Sequence, residues 1–317
     1  MKTDKIKYSE YIRNKNSVQN IQNRFEYKDN IPPRGFFING RPALTQIDPE
    51  KVGDYVSVLV RDALCAYGKD PAAVVADHLE NAELIGQSGM FTSYSGWYKG
   101  AHITAVSGGS GAPEMEMIMY DYLEFTDAST FIRLGGSGGF GDEVKPGDLV
   151  IASGAVRGEG MTRAYIDAAY PASSHYEVVC AMVQAAEKLE NSYHVGVTVS
   201  CDSDYVGGGR PGPGGYMQPW NIEHAGIYNR AGCLNGDRES SAIITLASLF
   251  GRRGGSVCSV SDNMCTGEKF HEGIGHNSAL EVVLEGCAIL YQMDLQKGKR
   301  KYWYPGISSD SAGCNQE

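Results

Sequence analysis

The sequence predicts a single α/β domain built on a central, mostly parallel sheet with helices on both faces. Three observations predict it. From Tyr55 to Met293, short β-branched or aromatic runs alternate with longer stretches whose apolar residues recur at helical spacing. The connections between them are short, as crossovers between parallel strands require. Glycine makes up 40 of the 317 residues, well above the usual share of about 7 per cent, and clusters at the ends of apolar segments without a repeat. That placement removes collagen-like and low-complexity readings and puts flexible backbone at the carboxyl ends of strands, where ligands bind in this architecture.

Residues 1–50 are polar and broken by Pro32, Pro33 and Pro42, so they read as an N-terminal extension to a domain spanning 51–317. Val56–Val60 is a buried strand. Pro71–Leu79 is a helix with Asp70 as its N-cap and proline in its first turn. His102–Val106 is the next strand, and a methionine-rich helix follows over Pro113–Leu123, its methionines read as core packing. Strands are predicted over Thr130–Leu134, Asp148–Ser153 and His194–Ser200, with a helix over Tyr176–Leu189 between the last two. A helix over Glu239–Phe250 and a strand over Ser256–Ser261 come next. The last helix, Ser278–Met293, carries Leu280, Val283, Leu284, Cys287 and Tyr291 on one face, with Ser278 and Glu281 spaced as a capping box. The glycine- and proline-rich stretch from Val206 to Gly215 suits neither helix nor strand and reads as an exposed loop able to act as a lid.

The formal charge of −10 opposes sequence-independent nucleic-acid binding, which needs a basic face, and favours small substrates. No apolar stretch reaches the roughly 18 to 20 residues of a membrane span, and the N-terminus lacks a signal-type apolar region. A cytoplasmic location is expected. Of the 8 cysteines, Cys180, Cys258 and Cys287 fall in apolar segments as small core residues. Cys258, Cys265, His271 and His276 lack the tight pairing of a zinc site, so no metal is expected.

Two runs carry the chemical signal. Phe131-Ile132-Arg133-Leu134-Gly135-Gly136-Ser137-Gly138-Gly139 delivers one arginine into what reads as a glycine-rich turn, and Ser107-Gly108-Gly109-Ser110-Gly111 supplies a second turn. Backbone amides without side chains let an anion approach closely. Each run alone is equally a tight βα turn of the kind any α/β protein contains.

Taken together and in order, the motifs resemble those of nucleoside phosphorylases of the uridine phosphorylase and hexameric purine phosphorylase type. The matching pieces are Ser107 to Pro113, Arg133 to Gly139, Lys145 to Ile151, Val156-Arg157-Gly158-Glu159-Gly160-Met161, Val195 to Asp202, Arg238-Glu239-Ser240-Ser241-Ala242 and Ser261-Asp262-Asn263. The resemblance implies a mixed, partly barrel-like sheet and cleavage of a nucleoside's N-glycosidic bond by phosphate, giving free base and ribose 1-phosphate. Inorganic phosphate is then the co-substrate, with no other cofactor, and a homodimer or higher homo-oligomer is implied. An oxocarbenium-like sugar needs an anion beneath it and a carboxylate on its hydroxyls. By resemblance, Arg133 with Gly109, Gly136 and Ser137 forms the phosphate cradle. Glu239, alternatively a charge favoured at a helix N-terminus, grips the ribose, with Arg238 beside it. Arg210 and Asp204 fall at base-binding positions, Arg210 matching the arginine that uridine phosphorylases place on uracil. Asp262 matches the purine branch's proton donor, so the two signals point to different bases.

The sequence departs from the pattern at two phosphate arginines, whose positions fall at Ala73 and Gly89. Arg61, Lys69 or Arg238 can replace them. Arg238 itself stands where relatives have methionine, Asp237 where they have glutamate, and Asp204 where they have an aromatic residue. Three readings follow: a uridine-phosphorylase-like enzyme, a hydrolytic nucleosidase of the same fold, and a non-catalytic nucleoside-binding relative.

Overall fold

The computed structural model of the protein describes residues 37–61 and 68–307. In chain order the elements are β1 (Phe37–Ile38), β2 (Arg41–Pro42), β3 (Tyr55–Val60), α1 (Pro71–Ala76), β4 (Glu80–Ser88), β5 (Phe91–Tyr98), β6 (Ala101–Gly108), α2 (Ala112–Phe125), β7 (Thr130–Gly139), β8 (Leu149–Gly158), α3 (Thr162–Tyr165), β9 (Ala172–Ser173), α4 (Tyr176–Lys188), β10 (Tyr193–Cys201), α5 (Pro219–Arg230), β11 (Cys233–Asp237), α6 (Ser240–Leu249), β12 (Arg253–Asn263) and α7 (His276–Lys297).

The main sheet runs β11-β10-β8-β12-β7-β3-β6-β5-β4, and a further pairing of β11 with β7 closes its first five strands into a barrel. Five pairings are parallel, β10–β11, β8–β10, β7–β12, β3–β7 and β3–β6, and five, β8–β12, β7–β11, β5–β6, β4–β5 and β8–β9, are antiparallel, so the sheet is mixed rather than mostly parallel. This is the α/β, partly barrel-like architecture expected from the motifs.

Alternation along β7 sets the two layers. Ile132 and Leu134 pack with Val178 and Met182 of α4 and Leu280, Val283 and Leu284 of α7. Phe131 packs on the opposite face with Met115, Ile118 and Met119 of α2 and Ile243 and Leu246 of α6, so strand period two sends Arg133 toward the α2–α6 side. The methionines are core, as read, except Met117, which is 37% exposed. Asp70 caps α1, its carboxylate accepting from the Ala72 amide at 2.9 Å. Ile47 is fully buried in the α2–α6 layer.

Three expectations are corrected. The run Gly135–Gly139 is not a turn but the second half of β7, paired with β12 and, at its end, with β11. Ser278 does not cap the last helix, which begins at His276 behind Gly275 in the left-handed region. The Val206–Gly215 stretch contains two single turns of 3-10 helix and is followed by α5, a helix the glycines and prolines conceal.

Candidate active site

One cavity of about 340 Å³ opens at the ends of β7, β11 and β12. Its lining includes Arg133, Gly136, Ser137, Asp204, Arg210, Arg238, Glu239 and Asp262. Among the proposed site residues, Gly109 and Arg61 fall outside that lining. Gly109 is still next to Ser110, which does line it. Arg61 is engaged elsewhere: its Nε donates to Asp70 at 2.6 Å and its Nη2 pairs with Thr92.

Arg133 and Glu239 meet directly. Arg133 Nη2 donates to Glu239 Oε2 at 2.9 Å, with the two side chains 2% and 3% exposed. The strand supplies the arginine and the start of α6 supplies the glutamate, so the pair ties barrel to helix. Glu239 Oε1 accepts from Ser110 Oγ at 3.0 Å and from the Gly111 amide at 2.7 Å. Gly111, at φ +99°, is the turn residue that starts α2. The glycine turn therefore delivers its amide to a carboxylate of the chain itself. Asp237 lies beyond the guanidinium, Oδ2 being 3.8 Å from Arg133 Nε, and accepts from Ser200 Oγ and Ser240. Burial, then Glu239's charge, push the Asp237 carboxyl above its ordinary range, while Arg133 pulls it down.

The glycines of β7 make room for side chains rather than for a turn; none of them has positive φ. A Cβ on Gly135 would stand 2.0 Å from Arg133 Nη1, one on Gly136 2.9 Å from His276 Nε2, and one on Gly138 2.9 Å from Asp262 Oδ1. Arg133 also donates to the Leu134 carbonyl. The Ser137 hydroxyl is committed to strand pairing, donating to the Ser259 carbonyl and accepting from Asn235. Gly135→Ala is thus expected to displace the Arg133 guanidinium and destabilise the fold by about 1–3 kcal/mol, checked by thermal melting beside a Gly160→Ala control. A Cβ on Gly160 would meet only Asp202 Oδ2, at 3.6 Å, and its φ is not positive.

At the other end of the cavity Arg210 Nη2 donates to Asp262 Oδ2 at 2.5 Å. The segment read as a lid thus sends its arginine onto β12's aspartate. Two of the departures from the family pattern prove to be partners: Arg238 Nη1 donates to Asp204 Oδ2 at 3.1 Å and to Ser110 Oγ at 3.3 Å. A charged pair stands where relatives place methionine and an aromatic residue. Tyr205, Phe270 and His276 also line the cavity and were not assigned to it from sequence. His276 is the first residue of α7 and lies over Gly136, so a histidine at a helix start next to a glycine strand was the available signal. Of the cysteine and histidine set considered for zinc, Cys258 is buried in β12, Cys265 and His271 are exposed, and His276 lines the cavity.

Comparison with known proteins agrees with this geometry. The profile of the phosphorylase superfamily matches residues 63–283. A uridine phosphorylase from Thermococcus kodakarensis is 37% identical over 68% of this chain and 78% of its own length. A guanosine phosphorylase from Halorubrum lacusprofundi is 30% identical over 63% of this chain and 78% of its own, and a DeoD-type purine nucleoside phosphorylase from Mannheimia succiniciproducens 26% over 67% and 85%. No helix among the described residues is long and apolar enough to cross a membrane. With the closed barrel, the ordered motifs and the shared cavity, these matches make the chain a member of the phosphorylase superfamily and a pentosyltransferase.

Proposed function

We propose that the protein is a nucleoside phosphorylase acting on a uridine-like pyrimidine nucleoside. Phosphate oxygen forms a bond to C1′ as the C1′–N bond breaks, the bonding pair leaving with the base, to give ribose 1-phosphate. The observation that carries the reading is the buried Arg133–Glu239 pair at 2.9 Å, which sets an anion-binding guanidinium against a sugar-binding carboxylate in one cavity. Arg210 in the same cavity, and the likeness to the uridine phosphorylase, support the pyrimidine assignment. Phosphate is the co-substrate and no further cofactor takes part. A cytoplasmic homodimer or larger homo-oligomer completes the proposal.

One observation favours a hydrolytic variant of the same chemistry. The positions matching two phosphate arginines are Ala73 and Gly89, and Arg61 is held by Asp70 and Thr92. A nucleoside panel incubated with and without phosphate, with base and sugar product both measured, separates the readings. Base release that requires phosphate and yields ribose 1-phosphate is the expected result. Equal release without phosphate, yielding free ribose, makes it a nucleosidase, and no release from any nucleoside leaves only a binding role.

A further inference from the structure

We propose that the protein carries a second ligand site, a cleft between α4, α7 and the segment after α7 that takes a nucleoside monophosphate. The cleft, of about 350 Å³, matches the active-site cavity in size and shares no lining residue with it. The inference therefore stands apart from the phosphorylase reading.

One end of the cleft is cationic. Lys99, in the turn between β5 and β6, and Lys188, at the end of α4, both reach Glu285 of α7. Lys99 Nζ donates to Oε2 at 2.5 Å and Lys188 Nζ to Oε1 at 2.6 Å. The glutamate side chain is 3% exposed, whereas those of Lys99 and Lys188 are 55% and 60% exposed. Burial pushes the Glu285 carboxyl up, but hydrogen bonds from Lys188 and Lys99 outweigh it and hold the group below its ordinary range. The cluster is thus two cations against one anion, a positive spot on a chain of formal charge −10. An ammonium has three donors and Glu285 takes one from each lysine, so donors remain on both. The Tyr98 ring, its centroid 5.1 Å from Lys99 Nζ, helps to hold that ammonium. Because the two ammoniums are pinned to opposite oxygens of one carboxylate, a single tetrahedral phosphate can bridge them.

The other end is flat and apolar. Trp303 follows α7, and it is partly exposed while held on three sides. Its ring nitrogen donates to Gln296 Oε1 at 2.9 Å, its backbone N–H to Glu177 Oε1 at 3.0 Å, and its carbonyl accepts from Tyr176 Oη at 2.6 Å. A fixed indole is a stacking platform that any base can use. Ile289 and Met293, about one and two turns along α7 from Glu285, line the cleft between the two ends. From Glu285 to Gln296 the helix rises about 16 Å at roughly 1.5 Å per residue, room for a phosphate, a sugar and a base in extended form. Phosphate alone leaves the apolar floor uncovered, and a nucleoside leaves the lysines unused. A nucleoside monophosphate engages both.

Calorimetric titration of the full chain with AMP, UMP, adenosine and inorganic phosphate tests the site. Lys99→Gln and Lys188→Gln each remove one charge-assisted bond and leave Glu285 its other lysine, so each is expected to weaken nucleotide binding about tenfold. Trp303→Leu is expected to cost a similar factor, about tenfold, through lost stacking. The lysines stand at the surface and keep the test open should Trp303→Leu melt early. Glu239→Gln, in the active-site cavity, is expected to leave the nucleotide Kd within about twofold. The lysine-sensitive site is expected to take AMP and UMP at least about tenfold more tightly than adenosine or phosphate. These outcomes hold whether or not any nucleoside is cleaved. Absence of saturable nucleotide binding up to about 1 mM overturns the inference. So does binding that survives both lysine substitutions, binding abolished by Glu239→Gln, or adenosine or phosphate filling the same site as tightly as the nucleotides.

Discussion

Replacing Arg133 by methionine is expected to lower kcat/KM for phosphorolysis by about a thousandfold, on the order of 4 kcal/mol, and to destabilise the fold as well. Both effects come from one buried guanidinium. Its removal takes the positive charge from the anion site and leaves Glu239 and Asp237 facing each other, both nearly inaccessible. Breaking a buried pair from one side costs about 3–5 kcal/mol because the surviving charge stays desolvated. The stability deficit should depend on pH in a defined direction. Asp237 is already held above its ordinary range, and without Arg133 only its hydrogen bonds from Ser240 and Ser200 oppose burial and the charge of Glu239. In the window between the unfolded and the raised folded value, the folded protein holds a proton the unfolded chain lacks. Stability is therefore gained as pH falls through that window and lost as it rises. Melting curves at about pH 8 and about pH 5.5 should show the Arg133→Met deficit shrinking at the lower pH. Arg133→Lys separates the two roles: a point charge relieves the carboxylates but lacks the bidentate fork, so stability should recover further than rate. Unchanged phosphorolysis in Arg133→Met would remove this residue from the anion site.

Much of the fold was legible because apolar runs of the right length report burial whatever their partners are. β3, β6, β8 and β12 and the four long apolar helices were found this way. The misses share a cause, which is that their residues answer to something other than a core. β4 and β5 form an antiparallel pair whose β4 half is largely exposed, so it carries polar residues and little apolar signal. β11 reads Cys-Leu-Asn-Gly-Asp because its end faces the cavity. From sequence alone the glycines of β7 suggest a turn, since glycine is the common residue of turns. They are strand residues without side chains because Arg133, His276 and Asp262 need the space. Arg133 and Glu239 were found through motifs, and their convergence was the expectation on which the functional reading depended. Their direct pairing was not visible, because a sequence separation of 106 carries no distance. Nor could Arg238 and Asp204 be seen to compensate each other. Each read as a separate loss of the family pattern until the 3.1 Å contact joined them.

Glu239→Gln is the second large effect, and its size follows from counting acceptor positions. A carboxylate offers about four lone-pair sites. Here Oε1 takes Ser110 Oγ and the Gly111 amide, and Oε2 takes Arg133. One site remains for a sugar hydroxyl, and rotation of the Ser110 hydroxyl can free a second. Glutamine keeps a single acceptor oxygen. If its NH₂ faces Arg133, two donors oppose; if it faces Ser110 and Gly111, the same clash arises with the amide. Either orientation strands a buried donor at about 1–3 kcal/mol, so kcat/KM should fall by about 100-fold or more. The sugar readout is the sharper one. The wild type should prefer a riboside to its 2′,3′-dideoxy analogue by about 100-fold, because the carboxylate loses its partner with the latter. The variant should lose most of that preference, since its remaining oxygen is claimed by whichever internal donor it faces. Ser110→Ala in a double-mutant cycle with Glu239→Gln then tests the shared oxygen. Non-additivity is expected from residues in direct contact, while additive losses and an intact riboside preference would place the sugar elsewhere in the cavity.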